Sequence, residues 1–222
     1  MYLKTLHLGN FRNHADSTFE FAPGVNILLG DNGQGKTNII EAIAYLCTTK
    51  SFFAHSDGEA LNFGTPFFEI EGTFVPERGM ESSPRVAYEA ATEKKVYSIN
   101  RAPAERFSSV IGKYPVVICA PEHAPITMGG PGERRTFVDF VLSQSAPAYL
   151  STLMEYKRVV KHRNKVLAEA RDAGRLNPEM IEPWNEQLIN LGGQLMARRS
   201  RFVEEFQSYL HEAYDRLVDG EE

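Results

Sequence analysis

The octapeptide Gly30-Asp31-Asn32-Gly33-Gln34-Gly35-Lys36-Thr37 constrains this chain more than any other stretch. It has the spacing G-x-x-x-x-G-K-[ST] and stands between segments of different period. Ahead of it, Val25-Asn26-Ile27-Leu28-Leu29 is a short apolar run bounded by Pro23-Gly24 and Gly30, which predicts a buried strand. Behind it, Ile39, Ile40, Ile43 and Leu46 recur at helical spacing and predict a helix ending near Lys50. Glycines at a strand-to-helix junction point to an α/β fold with a phosphate-binding loop at the helix head. The bare spacing turns up by accident in roughly one chain in a hundred of this length, and the flanks lower those odds.

The residue types have physical reasons. Backbone N–H groups can wrap a phosphate only where no side chain intrudes, so the loop needs glycine, which also tolerates positive φ. The following helix aims its unpaired N–H groups and positive dipole end at the same anion. The loop predicts nucleotide contact at Gly30, Asp31, Asn32, Gly33, Gln34, Gly35, Lys36 and Thr37. Lys36 would place its charge on the β- and γ-phosphates of ATP, and the hydroxyl of Thr37 would ligate Mg²⁺.

Further strands are predicted over residues 2–8, 17–21, 67–75, 86–91, 95–99 and 116–119. Residues 9–14 read as a polar turn holding one aromatic, Phe11, and Thr92-Glu93-Lys94 as the turn of a hairpin. Consecutive short strands suggest an antiparallel sheet beside a parallel one. After Gly129-Gly130 the character changes: Pro131 suits a first helical position, and from Pro147 onward the pattern is helical. Tyr149, Leu153, Tyr156, Val160, Arg163, Leu167 and Ala170 form a heptad seam broken at Arg163. A second helix, predicted to start near Pro183, sets Trp184, Leu188, Leu191, Leu195 and Phe202 on one face, so the two read as an antiparallel pair. Gly192-Gly193 inside it fits either a close helix crossing or a break. The division expected is a head over 1–130 and a helical lobe over 131–222.

At 222 residues, 42% hydrophobic and 24% charged, the composition is that of an ordinary globular protein. The first residues hold no apolar signal core, no apolar run reaches membrane-spanning length, and the two cysteines suggest neither a disulfide framework nor a metal site. A reduced, cytoplasmic setting is expected. The net charge of −5 argues against a surface coated in positive charge, but not against a local phosphate-binding face.

These residues together resemble the RecF family of DNA-repair ATPases, relatives of SMC and ABC-type ATPases. The likeness is carried by Leu8-Gly9-Asn10-Phe11-Arg12-Asn13, by the loop with Asn38 and Glu41-Ala42-Ile43, by Ala120-Pro121-Glu122, by Arg134-Arg135 with Phe137 and Asp139, and by Pro147-Ala148-Tyr149-Leu150 with Tyr156, Arg163 and Asn164. It implies a partial ABC-type P-loop head with an antiparallel β subdomain and an appended helical lobe. It also implies a weak ATPase that dimerises on ATP, engages gapped or duplex DNA, and works with RecR- and RecO-like mediators. The family's Ser/Gly-rich signature segment and second acidic strand have no counterpart before Glu222. The chain thus resembles the N-terminal portion of such a protein and, alone, is expected to bind ATP and hydrolyse it poorly.

By the same resemblance Arg12 and Asn13 are expected at the nucleotide phosphates, and Glu122 at the position of a Mg²⁺-facing loop acid, where a surface acid or helix cap is an equal reading. Arg134 and Arg135, unfavourably placed at a helix start, suggest an anionic partner or an ion pair with Asp139 or Glu133. Lys157, Arg158, Lys161, His162, Arg163 and Lys165, with Arg198, Arg199 and Arg201, form either solvated helix faces or a DNA-phosphate surface. Two other classes fit the loop: a P-loop small-molecule kinase, disfavoured by the strands ahead of the loop, and a non-catalytic interaction module.

Overall fold

The computed structural model describes residues 1–52, 54, 56–121, 124–175 and 177–218. The chain forms two compact units, Met1–Ile118 and Cys119–Glu222, dividing earlier than the 130/131 boundary read from the sequence.

The first unit is built on one six-stranded sheet: β1 (Tyr2–Phe11), β2 (His14–Glu20), β3 (Phe67–Val75), β4 (Pro84–Glu89), β5 (Lys94–Ile99) and β6 (Ala102–Pro103). Its order is β2-β1-β3-β4-β5-β6, and every pairing is antiparallel. Alternation along β3 buries Phe68, Ile70 and Phe74 on one face and leaves Glu69, Glu71 and Thr73 on the other. Helix α1 (Lys36–Thr48) covers the apolar face with Ile39, Ala42, Tyr45 and Leu46. Phe11, Tyr45 and Phe68 meet edge to face there, with ring centroids 5.4–6.3 Å apart.

Three sequence expectations need correction. The run at 25–29 belongs to no strand: Val25, Ile27 and Leu29 are 74–89% exposed, and only Leu28 packs against the core. Val116-Val117-Ile118-Cys119 likewise belongs to no strand, with Val117 92% exposed. A strand needs a neighbour to complete its hydrogen-bond ladder, and no parallel pairing occurs among the described residues. At 22–26 the side chain of Asn26 instead closes the chain on itself, accepting from Ala22 N–H at 2.9 Å and donating to Ala22 C=O at 2.8 Å. The polar turn expected at 9–14 shrinks to Arg12 and Asn13, because β1 runs on to Phe11, which is fully buried and pairs with His14.

In the second unit, α2 (Pro125–Met128), α3 (Pro131–Ser145), α4 (Pro147–Asp172) and α5 (Pro178–Leu217) follow one another. Pro131 takes the first-turn position it was read for. Helix α5 begins before Pro183, because Asn177 caps it by accepting from Glu179 N–H at 3.0 Å and Pro178 opens the first turn. It continues through Gly192 and Gly193 without a break. A Cβ on Gly192 would meet Tyr156 at an ordinary 3.6 Å, so the glycine marks a contact with α4 rather than an unusually close crossing. Arg163 meets Asn185, Tyr156 meets Gly192 and Tyr149 meets Arg199, which makes α4 and α5 antiparallel. The seam passes from Tyr149 and Leu153 to Val159, 1% exposed, instead of Val160; a straight helix drifts off a strict heptad. No helix among the described residues is long and apolar enough to cross a membrane.

Candidate functional site

The site is the segment between residue 29 and the first turn of α1. Gly33 and Gly35 hold φ of 84° and 88°, in the left-handed region that favours glycine. Gly35 is the N-cap of α1, with no side chain capping it, so the leading N–H groups of the helix are left for an anion. The Lys36 ammonium folds back over the loop and donates to the carbonyls of Gly30 and Asp31, both at 2.7 Å. Asp31, Asn32, Gly33 and Gln34 are exposed, as is Thr37. The result is an open cradle of backbone amides with one cation at its mouth. That donor set suits a phosphate chain, and Thr37 adds a hydroxyl oxygen of the kind a hard divalent cation takes.

The cradle is held from behind by the β1–β2 turn, where Arg12 itself has φ 55°. Asn13 Nδ2 donates to the Gly33 carbonyl at 3.2 Å, and its Oδ1 accepts from Asn38 Nδ2 at 2.8 Å. His14, which is buried, reaches the Gly35 carbonyl through Nε2 at 3.3 Å. A carbonyl only accepts, so this nitrogen carries the proton and Nδ1 accepts from Ser17 Oγ at 3.1 Å. Arg12 sits differently from Asn13. Its Nε and Nη2 form a bidentate pair with Glu41 of α1 at 2.9 and 2.7 Å, and Nη1 donates to the Glu59 carbonyl at 2.8 Å. The Glu41 side chain is 1% exposed and accepts a further bond from Ser51 Oγ.

The far end of α1 is pinned as well. Lys95 Nζ donates to the Thr49 carbonyl at 3.0 Å and pairs with Asp57 at 2.8 Å, while Tyr45 donates its hydroxyl to the same carboxylate. Burial and the Asp57 hydrogen bond push the Tyr45 hydroxyl well above its usual range. Tyr97 reaches the Leu46 carbonyl at 2.7 Å.

The loop residues read from the sequence thus come together, and Asn13 joins them directly, whereas Arg12 is engaged by Glu41. Glu122 lies outside the described residues. The expected pairing of Arg134 or Arg135 with Asp139 is not what forms: Asp139 is held by Arg199 through two bonds of 2.9 Å and by the Tyr149 hydroxyl, and Arg134 donates to the Gly129 carbonyl. Arg199 and Arg163 therefore serve internal contacts, while Lys157, Arg158, Lys161, His162 and Lys165 stay exposed on α4. His14 and Glu41 went unnoticed as site residues in the sequence. The available signal was a carboxylate on the face of α1 that otherwise carries Ala44 and Tyr45 into the core.

The family described as AAA domain matches residues 5–117. The DNA replication and repair protein RecF of Salinibacter ruber (strain DSM 13855 / M31) is 43% identical over 218 residues, which are 98% of this chain and 53% of that protein. That of Chloroherpeton thalassium (strain ATCC 35110 / GB-78) is 41% identical over 214 residues, 96% of this chain and 58% of that protein. A solved structure of the recombination mediator protein RecF with ATP, from the RecFOR pathway, superposes with a TM-score of 0.91 at 26% identity, covering 98% of this chain and 58% of that one. The chain thus spans little more than half the length of these relatives. Its fold is that of a P-loop ATPase of the AAA-domain type with appended helices, and the chain, similar over nearly all its length to RecF proteins, belongs to the AAA-domain family.

Proposed function

We propose that the chain is the ATP-binding portion of a RecF-type protein of DNA replication and repair. The observation that carries this reading is the cradle at residues 30–37, with the Lys36 ammonium at its mouth and the uncapped head of α1 behind it. ATP would lie with its phosphates on the backbone amides of Gly33 and Gly35 and on Lys36. Mg²⁺ would be held by the Thr37 hydroxyl and phosphate oxygens, neutralising charge on the triphosphate. The first unit, Met1–Ile118, would act as the head and the helices of the second, Cys119–Glu222, as the helical lobe. The exposed basic side chains of α4, with Arg198 and Arg201 of α5, would meet DNA phosphates without reading sequence, and binding would weaken steeply with salt. Similarity to RecF supports ATP-dependent dimerisation on gapped or duplex DNA in a cytoplasmic setting, and the RecFOR pathway named for the ATP-bound relative points to RecO- and RecR-like partners. Hydrolysis by this chain alone would be slow.

Sedimentation velocity of the purified chain tests the reading, run with and without Mg-ATP and a labelled gapped duplex. The expected result is a nucleotide-dependent doubling of mass and co-sedimentation with DNA that fades as salt rises. A sedimentation coefficient unmoved by Mg-ATP or DNA, or an ordinary ATPase rate from this chain, would overturn it.

A further inference from the structure

Arg12 lies beside a phosphate loop and invites assignment as a phosphate ligand, yet its guanidinium is turned away from the loop. Both arms of its fork close on a carboxylate that is itself 1% exposed, and the remaining nitrogen closes on the Glu59 carbonyl. Withdrawing it would leave Glu41 buried with only the Ser51 hydroxyl as a described partner, a costly state for a charged group. The two residues that follow it, Asn13 in the turn and His14 opening β2, each take one loop carbonyl: Asn13 that of Gly33, and His14 that of Gly35. These are two of the three loop glycines at positive φ, the third being Gly30 at 148°. The space at Gly35 is closed from the turn's side, since a Cβ there would stand 2.3 Å from Asn13 Oδ1 and 2.6 Å from His14 Nε2.

We infer that the β1–β2 turn is a three-point clamp on the phosphate loop, in which Arg12 acts through Glu41 and His14 acts through the Gly35 carbonyl. Arg12, His14 and Glu41 are positioning residues, and none of them touches the nucleotide. The buried Arg12–Glu41 pair fixes where the turn stands relative to α1. Asn13 and His14 then hold the Gly33 and Gly35 carbonyls, and so fix the peptide planes to which those carbonyls belong. The clamp rests on the nucleotide-binding reading only for its consequence, since the contacts themselves belong to the protein alone.

A thermodynamic cycle with Arg12→Gln, Glu41→Gln and the double variant separates clamp from ligand, with ATP and ADP affinities measured by calorimetry. A clamp requires each single variant to weaken ATP and ADP equally, by about tenfold, with the double variant no weaker than either. Loss confined to ATP in Arg12→Gln, with Glu41→Gln binding as well as wild type or better, would make Arg12 a γ-phosphate ligand and overturn the inference. His14→Leu should weaken both nucleotides similarly, and His14→Gln, whose amide N–H can reach the same carbonyl, should recover most of the loss. Equal affinities for His14→Leu and wild type would remove His14 from the clamp. Amide hydrogen exchange of Ile39, whose N–H donates to the Gly35 carbonyl at 3.1 Å, supplies the independent readout in nucleotide-free protein. It should quicken about tenfold in Arg12→Gln and Glu41→Gln and stay slow in His14→Gln. If wild type binds no nucleotide, the functional reading fails, and the exchange data still decide the clamp: unaltered exchange in both charge variants would refute it.

Discussion

A Cβ at Gly35 would collide with the Asn13 amide and the His14 ring, at a backbone φ of 88° that other residues adopt only with strain. Gly35→Ala is therefore expected to cost about 2 kcal/mol, to lower the melting temperature of the chain by about 4–8 °C, and to weaken ATP at least tenfold. Differential scanning fluorimetry and a nucleotide titration check this together; a variant that melts and binds like wild type would show the cradle to be looser than drawn. A smaller effect is expected at the other end of α1. Tyr97→Phe leaves the buried Leu46 carbonyl without its 2.7 Å hydroxyl partner, a loss of about 1–2 kcal/mol visible as a lower urea midpoint at unchanged slope.

At the scale of elements, the helices of the second unit are tied by one polar cluster as much as by their apolar seam. Asp139 on α3, Tyr149 on α4 and Arg199 on α5 meet there, beside the small core of Tyr149, Leu153 and Leu195. Asp139→Asn should cost the helical unit about 2 kcal/mol by leaving a half-buried guanidinium without its counter-charge; helix loss followed by circular dichroism against denaturant would measure it. Elements with a local signal were legible in the sequence. The alternation of Phe68, Ile70 and Phe74, the helical spacing after Lys36 and the Pro131 start are properties of a few neighbouring residues. The runs at 25–29 and 116–119 were misread because an apolar stretch states that it will be covered but not by what, and no strand among the described residues lies beside them. The same limit governs the site. Glycine spacing announced the cradle, whereas the Arg12–Glu41 pair joins residues far apart in sequence and only the folded sheet brings them together. Arg199, read as part of a basic run, turned inward for the equivalent reason: its partner Asp139 is supplied by another helix.

For the molecule as a whole, alkaline pH should be the destabilising direction. Burial pushes the Cys47 thiol from 9.0 up to about 12, and burial, with the Asp139 hydrogen bond next in weight, pushes the Tyr149 hydroxyl from 10.0 to about 12. Both groups keep their protons in the folded state at pH values where the unfolded chain releases them. Their contribution is fully present below pH 9 and is lost between about 9 and 12, so stability falls as pH rises through that window. Melting temperatures recorded from pH 7 to 11 should decline above pH 9, and Cys47→Ala should flatten part of that decline. The exposed Cys119 should alkylate readily at pH 8 while Cys47 stays protected until the head unfolds. The larger claim, that the first unit carries an ATP site, depends on the cradle and its lysine. Isothermal titration of the purified chain with Mg-ATP, beside Lys36→Ala, tests it most directly. The account predicts saturable binding at one site per chain, weakened about ten- to a hundredfold by the substitution. No heat from wild type, or equal affinity in the two proteins, would contradict it.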